Sequence, residues 1–155
     1  MPAYTGMNQS VAVKFDLFNS AGEGNNSTGL YQGGASPTTP AKDMTSSGLS
    51  LHSGNVLNVH VGYDGTTLSL TITDTVTNAS YSTSWTVNIP QAVGGTTGLV
   101  GFTAGTGDLT ATQDVLSWTY STGSGVTAPA APTNVVAAGG NGQVGLTWSA
   151  SSGAT

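Results

Sequence analysis

The stretch VAVKFDLFN at residues 11–19 decides the fold class of this chain. Apolar and polar residues alternate along it as far as Asp16, which is the two-residue period of a β-strand with one buried face. Lys14 and Asp16 share the polar face, so an ammonium and a carboxylate lie side by side where the strand ends. The polar, glycine-rich loop at residues 20–29 adds further oxygen donors, namely Glu23, Asn25, Asn26 and Ser27. Oxygen donors around a carboxylate are what a hard cation such as calcium requires.

The composition limits the classes of partner. Charged residues make up 6% of the 155 residues, against about 25% in typical soluble domains, and the net charge is −5. The two lysines, Lys14 and Lys42, are the whole basic complement because there is no arginine, so binding to nucleic acid through a basic patch is excluded. The absence of cysteine excludes disulfides, thiol catalysis and cysteine-ligated zinc. No apolar run approaches the roughly 20 residues of a membrane span, and we expect any export signal to lie upstream of this chain or to have been removed.

Short alternating segments recur along the chain and predict β-strands. The predicted strands are Ser10–Phe15, Gly29–Gln32, Val56–Tyr63, Thr67–Thr75, Tyr81–Ile89, Leu99–Thr103 and Val115–Ser121. Asp64-Gly65 is a hairpin signal, a long loop is predicted at residues 33–48, and helical periodicity appears nowhere over a useful length. This pattern predicts an all-β, antiparallel sandwich. Trp85 and Trp118 are expected in its core, with sugar stacking as the alternative, and His52 and His60 are expected to face solvent.

A change in composition divides the chain into three parts. Residues 1–122 form the predicted sandwich, residues 123–131 read as a linker rich in small residues, and residues 132–155 form a tail. The tail resembles the first two strands of a fibronectin type III domain, with Trp148 as its core tryptophan. Such a sandwich domain needs roughly 100 residues, so we interpret the tail as a truncated module.

Four segments, taken in order, resemble the legume-type (L-type) lectin family. They are residues 11–19, the hairpin at Tyr63-Asp64-Gly65, VGFTAGTG at residues 100–107 and DVLSWT at residues 114–119. The resemblance spans roughly residues 10–121 and implies an incomplete, concanavalin-like jelly-roll sandwich that binds a glycan or polysaccharide. A lectin-like domain followed by a fibronectin-like segment also resembles secreted bacterial surface proteins, which implies a secreted or cell-surface location.

The resemblance also implies roles for individual residues. Asp16 matches the aspartate that bridges two metal ions, and Phe18 matches the residue whose backbone carbonyl binds calcium. Asn19, or Ser20 beside it, matches the asparagine that binds both calcium and sugar, and Glu23 is the acidic candidate for the remaining carboxylate. A second loop matches the one whose backbone amides bind sugar; its candidate residues are Gly105, Gly107, Asp108 and Leu109.

Two positions depart from the family pattern. Lys14 stands where the family has the glutamate that binds a transition metal, and Ser27 stands where it has a metal-binding histidine. Because a protonated lysine cannot ligate a cation, we expect the transition-metal site to be lost and the charge of Lys14 to substitute for the metal. Calcium at Asp16, Phe18, Asn19 and Glu23 is then the one cofactor expected, and a simple Lys14–Asp16 ion pair is the alternative.

A larger departure concerns the beginning of the domain. The family places a sugar-binding aspartate and several strands ahead of the strand at residues 11–19, so this chain resembles the C-terminal half of the lectin domain. Exposed strand edges and apolar surface would follow, and they favour self-association.

Three functions remain open from the sequence. The first is carbohydrate binding by the lectin-like domain. The second is a structural or adhesive unit that self-assembles through its strand edges. The third is a jelly-roll glycoside hydrolase, which needs two nearby carboxyl groups such as Asp16 with Glu23, or Asp108 with Asp114. Neither pair matches a catalytic motif, so enzymatic activity and catalytic residues are not expected.

Overall fold

A computed structural model describes residues 6–36, 38–106, 109–122, 133–140 and 143–149. The chain separates into two compact units, Met1–Asp114 and Val115–Thr155. The regular structure of the described residues is almost entirely antiparallel β-sheet. This confirms the predicted all-β class and is consistent with an incomplete jelly-roll sandwich.

The first sheet contains strands β1 (Val11–Asp16), β2 (Ser27–Gln32) and β3 (Lys42–Asp43), in the order β1-β2-β3. Both pairs of neighbours are antiparallel. β1 and β2 are the predicted strands with slightly shifted ends, whereas β3 lies in the segment predicted as loop. Its two residues are too short for any periodicity to be visible in the sequence.

The register of this sheet collects polar residues on one face. Asp16 lies opposite Ser27, and Ser27 lies opposite Asp43. Lys14 lies opposite Gly29. Residues directly opposite each other in an antiparallel pair project to the same side, so the polar face of β1 continues across β2 to β3.

The second sheet contains β4 (Leu57–Tyr63), β5 (Thr67–Asp74) and β6 (Ser80–Thr86), in the order β4-β5-β6. The predicted hairpin joins β4 to β5. At its turn, Asp64 Oδ1 accepts hydrogen bonds from the backbone N–H groups of Thr66 at 2.9 Å and Thr67 at 2.7 Å. An aspartate that binds the backbone two and three residues ahead fixes a tight turn.

The core lies between the two sheets. Its fully buried members are Met44, Leu49, Leu70 and Ile72, and the side chains packed against them are Val13, Leu51, Leu57, Ala79, Tyr81 and Trp85. Leu70 and Ile72, at alternate positions of β5, supply one side of the core. Met44 and Leu49, in the connection after β3, supply the other side. The prediction of Trp85 as a core residue is therefore confirmed. The long loop predicted at residues 33–48 instead contains strand β3 and the buried core residue Met44.

Two of the strand predictions are wrong. The described residues of 99–106 and 109–122 have no regular secondary structure. Leu99 is fully exposed and Trp118 is 53% exposed, so the core prediction for Trp118 is also wrong. Alternation of apolar residues produces a strand only where a neighbouring strand takes its hydrogen bonds and a core takes its apolar face, and no described strand does so here.

One short helix was not predicted. Helix α1 (Ile89–Val93) follows β6, which ends at Thr86 instead of continuing to Ile89. Asn88 caps the helix by accepting a hydrogen bond from the backbone N–H of Gln91 at 3.0 Å. Asparagine before a proline near the helix start is a recognisable N-terminal signal, and it outweighs the alternating pattern at this point.

The second compact unit contains a hairpin of β7 (Thr133–Gly140) and β8 (Gln143–Ser149). The two strands predicted in the tail are thus confirmed, while their relation to a fibronectin type III domain stays a prediction. Trp148 is 59% exposed, so it is not a core residue of the described part. No helix among the described residues is both long and apolar enough to span a bilayer.

Candidate functional site

The charged residues of β1 meet the following loop at Lys14. The Lys14 Nζ atom lies 2.5 Å from Asp16 Oδ2 and 3.8 Å from Glu23 Oε1. The side chains of Lys14 and Asp16 are 15% and 21% exposed, and that of Glu23 is 1% exposed. One ammonium therefore contacts a partly buried and a buried carboxylate, which ties the end of β1 to the loop.

The ring of Tyr31 also lies next to the Lys14 ammonium. Lys14 Nζ lies 5.6 Å from the centre of the Tyr31 ring, within the range of a cation–π contact. The buried Tyr31 hydroxyl is hydrogen-bonded to the carbonyl oxygens of Thr38 at 2.9 Å and Pro40 at 3.0 Å. Gly29 leaves room for the ring, because a Cβ atom there would lie 2.5 Å from the tyrosine hydroxyl. Burial, and then the charges of Asp16 and Glu23, raise the pKa of Tyr31, so it stays neutral.

Side chains within the loop satisfy its backbone N–H groups. Asn19 Oδ1 accepts from the N–H of Gly22 at 2.7 Å, and Asn25 Oδ1 accepts from the N–H of Asn19 at 2.9 Å. Asp16 Oδ1 accepts from the N–H of Phe18 at 3.2 Å. Short polar side chains that bind nearby N–H groups favour turns over helix or sheet, which explains why β1 ends at Asp16.

Glu23 is the buried carboxylate of this loop. Its burial favours the neutral form, but hydrogen bonds from the backbone N–H groups of residues 23, 21 and 20, with the nearby Lys14 charge, outweigh burial and hold the pKa of Glu23 below its usual range. The bond from the Ala21 N–H to Glu23 Oε2 is 2.5 Å long. Glu23 is therefore an anion at neutral pH and not a proton donor.

His52 fastens both ends of the loop, a role that sequence reasoning missed. Its Nε2 atom lies 2.6 Å from the carbonyl oxygen of Leu17 and 2.8 Å from that of Asn25. Since carbonyl oxygens only accept hydrogen bonds, Nε2 carries the proton and donates to both. The ring also meets Phe18 edge-on, with centroids 5.2 Å apart. His52 is exposed as predicted, but the separations of 35 and 27 residues leave no local signal for these contacts.

Two fully buried hydroxyl residues on β2 behave differently. Thr28 Oγ1 donates to the backbone carbonyl of Lys14 at 2.8 Å and so holds β1 in place. Ser27 Oγ, opposite Asp16, makes no hydrogen bond to any described residue. A buried hydroxyl without a hydrogen-bond partner makes folding less favourable. Ser27 therefore destabilises the fold next to the cluster of Lys14, Asp16 and Glu23.

These residues fit an internal ion pair better than a metal centre. The described residues contain no group of three or more metal-ligating side chains arranged to hold an ion. A divalent cation bound by both Asp16 and Glu23 would be placed beside the Lys14 ammonium, which repels it. Both the loss of the transition-metal site and calcium binding at Asp16, Phe18, Asn19 and Glu23 stay predictions.

The second candidate loop is described only in part. Gly105 and Leu109 lie in the segment without regular structure, and Leu109 is 55% exposed. Gly107 and Asp108 lie outside the described residues. Within the described part of the chain, neither Gly105 nor Leu109 is hydrogen-bonded to Asn19. A single sugar site made from both loops therefore stays a prediction.

Sequence comparison agrees with the fold and with the place of this loop in it. A family model for the legume lectin domain matches residues 3–136, which is most of the chain and includes both sheets. No protein with a curated description matches the chain. The polar end of β1, the loop after it and the first two sheets all lie within the matched region, whereas β8 lies outside it. The chain therefore belongs to the legume lectin domain family.

Proposed function

We propose that this chain binds carbohydrate without catalysing a reaction, through the loop at residues 17–25. In this proposal Lys14 substitutes for the lost transition metal. The observation that carries it is the ammonium of Lys14 in contact with the carboxylates of Asp16 and Glu23. Membership of the legume lectin domain family supports carbohydrate binding in general.

The loop offers the groups that sugar hydroxyls need. A hydroxyl both donates and accepts hydrogen bonds, so it pairs with carboxylate oxygens on one side and with N–H groups on the other. Asn19 is exposed, and its amide oxygen is held by Gly22 while its NH₂ group donates to no described residue. We propose that Asn19 contacts the sugar directly, with Gly105, Gly107, Asp108 and Leu109 adding contacts from the second loop.

The lysine ion pair performs the ordering that a metal ion would otherwise provide. It neutralises one negative charge and connects β1 to the loop through a contact with each carboxylate. Calcium binding at the same loop is the competing proposal, because Asp16, Glu23, Asn19 and the Phe18 carbonyl are oxygen donors of the kind calcium prefers. Chelation separates the two, since only the calcium site loses its order.

The electrostatics of Glu23 support binding over glycoside hydrolysis. A hydrolase needs one carboxyl group that stays protonated and acts as a general acid, which requires a raised pKa. The pKa of Glu23 is instead lowered, because its backbone hydrogen bonds and Lys14 outweigh its burial. Glu23 is therefore unsuited to act as that general acid.

We also propose a secreted or cell-surface location, of the kind found in bacterial surface proteins, with the fibronectin-like tail as a truncated module. Support comes from the lectin-like domain and from a chain with 6% charged residues. Detection of the protein in the culture medium or on intact cells of its source would test this location.

Self-association is a second candidate function. β4 is an edge strand, and Val59 and Val61 on it are 47% and 49% exposed although they lie opposite buried residues of β5. Exposed apolar side chains on an unpaired strand edge favour strand addition by another copy. Light scattering tests this, because a monomer at all working concentrations contradicts it.

A glycan array tests the main proposal. The wild-type chain is expected to bind a defined set of glycans, and Asn19→Ala is expected to lose that binding. Asn58→Ala is the control, because Asn58 is an exposed residue of the second sheet. The proposal fails if wild type binds no glycan, or if both variants bind as wild type does.

A further inference from the structure

The chain has few positively charged side chains, and both of its lysines already contact other residues. The sequence has two lysines and no arginine, against seven aspartate and glutamate residues. Ammonium and guanidinium groups form strong charge-assisted hydrogen bonds to anionic sugars such as uronic acids, sialic acids and sulfated sugars. Whether either lysine is available for such a bond therefore decides which class of glycan fits.

Lys14 is not available. Its ammonium contacts Asp16 at 2.5 Å and Glu23 at 3.8 Å and lies over the Tyr31 ring, and its side chain is 15% exposed. The three groups Lys14, Asp16 and Glu23 together carry one net negative charge. An anion that approached them would have to break the existing ion pair and would then face two uncompensated carboxylates.

Lys42 is held by the second sheet. Its Nζ atom donates to Thr83 Oγ1 at 2.6 Å and to the Ser84 carbonyl at 3.2 Å, and it lies 5.2 Å from the centre of the Trp85 ring. These contacts connect β3 to β6 and use two of the three donors of this exposed ammonium. The lysine is fixed in a structural role between the two sheets.

Two further carboxylates among the described residues add to the negative charge of the chain. Asp43, at the end of β3, has a lowered pKa because it accepts hydrogen bonds from the side chain and backbone of Thr45. Asp64, at the hairpin turn, has a lowered pKa because of the backbone N–H groups of Thr66 and Thr67. Both are anions at neutral pH, in a chain with net charge −5.

We infer that the glycan of the proposed lectin site is neutral, recognised through hydroxyl groups alone, and that acidic glycans are rejected. This inference rests on the proposed carbohydrate binding and specifies the class of its ligand. Polar contacts to hydroxyls need no cation, whereas a sugar carboxylate or sulfate would be desolvated here without a counter-charge, which is unfavourable.

Binding to immobilised polysaccharides tests the inference. The neutral probes are mannan, dextran and galactan, and the acidic probes are alginate, polygalacturonate and heparin, each measured at low and at physiological salt. At least one neutral probe is expected to bind about tenfold more tightly than every acidic probe, which corresponds to about 1.4 kcal/mol. Tighter or equal binding of an acidic probe overturns the inference and leaves carbohydrate binding intact. Binding of no probe contradicts the proposed function itself, and the inference with it.

A charge-adding pair of variants tests the cause. Ser20→Lys places a free ammonium on the exposed part of the loop, and Asn58→Lys adds the same charge to the second sheet. Ser20→Lys is expected to gain at least about tenfold in binding to the acidic probes, while Asn58→Lys gains less. Equal gains in the two variants would show that net charge, and not the missing cation at the loop, sets the preference.

Discussion

Lys14 contacts the carboxylates of Asp16, at the end of β1, and of Glu23, in the following loop, so it is a counter-charge to both. Replacing it with methionine keeps most of the side-chain volume and leaves Asp16 and the buried Glu23 without a counter-charge. Removing one partner of a buried pair can cost 3–5 kcal/mol, and partial exposure reduces this, so we expect a loss of about 1–3 kcal/mol in the free energy of unfolding. Urea denaturation measures it.

Lys42→Met is the matched control, because it removes the same charge from a lysine that binds a hydroxyl, a carbonyl and a ring. It is expected to cost about 1 kcal/mol. If Lys14→Met is no less stable than Lys42→Met, the ion pair does not order the loop.

The adjacent residues Ser27 and Thr28 give a second matched pair. Both are fully buried, but only Thr28 has a hydrogen-bond partner among the described residues. Ser27→Ala removes a buried, unpaired hydroxyl and should stabilise the fold by about 1 kcal/mol, whereas Thr28→Val removes the hydrogen bond to the Lys14 carbonyl and should destabilise it by about 1 kcal/mol. Thermal unfolding distinguishes them by opposite changes in Tm. Equal destabilisation would mean that Ser27 has a partner that the described contacts lack.

His52 is expected to control the order of the loop. His52→Phe keeps an aromatic ring against Phe18 but removes the donor to the Leu17 and Asn25 carbonyls. We expect a loss of about 1–2 kcal/mol and faster hydrogen exchange at the Asn19 and Gly22 amides. His60→Phe, on the exposed face of β4, should stay within about 0.5 kcal/mol of wild type. Unchanged amide exchange in His52→Phe would contradict this role.

At the residue scale, the sequence predicts only contacts between residues that are close together in the chain. The pairing of Lys14 with Asp16 follows from their positions two apart on one strand face. The place of Glu23 at the same ammonium depends on how the loop folds back, and the role of His52 depends on a core that brings residues 17, 25 and 52 together. Neither of these leaves a pattern in the linear sequence.

At the scale of elements, alternation predicted the strands that have partners. β4, β5 and β6 form a continuous sheet that contributes Leu57, Leu70, Ile72, Tyr81 and Trp85 to the core, and the predictions there hold to within a few residues. The segments at 99–103 and 115–121 have the same alternation without a partner strand, and they form none. Strand formation depends on the neighbour as much as on the segment itself.

The turn after β5 is expected to make stability depend on pH. The side chain of Asn55, and then the backbone N–H groups of Thr77 and Val76, lower the pKa of Asp74 to about 2 from its ordinary value of 3.8. Because the folded pKa is below the unfolded one, Asp74 stabilises the fold above about pH 4, and this contribution is lost as the pH falls towards 2. Asn55→Ala raises the folded pKa, so it should be less stable at neutral pH and should lose less stability on acidification.

Urea denaturation across this pH range measures the effect. Asn58→Ala, on the neighbouring strand, is the control and should follow the wild-type profile. If Asn55→Ala and wild type lose the same free energy of unfolding between pH 4 and pH 2, the Asn55–Asp74 contact does not set the pKa.

At the scale of the whole molecule, the family and the arrangement of charge point to one function. The legume lectin domain match covers both sheets, and residues 11–19 predict the fold because they contain both a core-facing strand and the start of the loop. The substitution of Lys14 for a transition metal stays a proposal, and the distances from Lys14 to Asp16 and Glu23 support it.

Glycan binding with and without a chelator tests the central claim most directly. Calorimetry would titrate the tightest-binding neutral glycan into the wild-type chain, first after EDTA treatment and then with added calcium or manganese. A lysine-ordered loop predicts the same Kd under all conditions, within about twofold, which corresponds to about 0.4 kcal/mol. Loss of binding after EDTA, with recovery on addition of calcium or manganese, would contradict it.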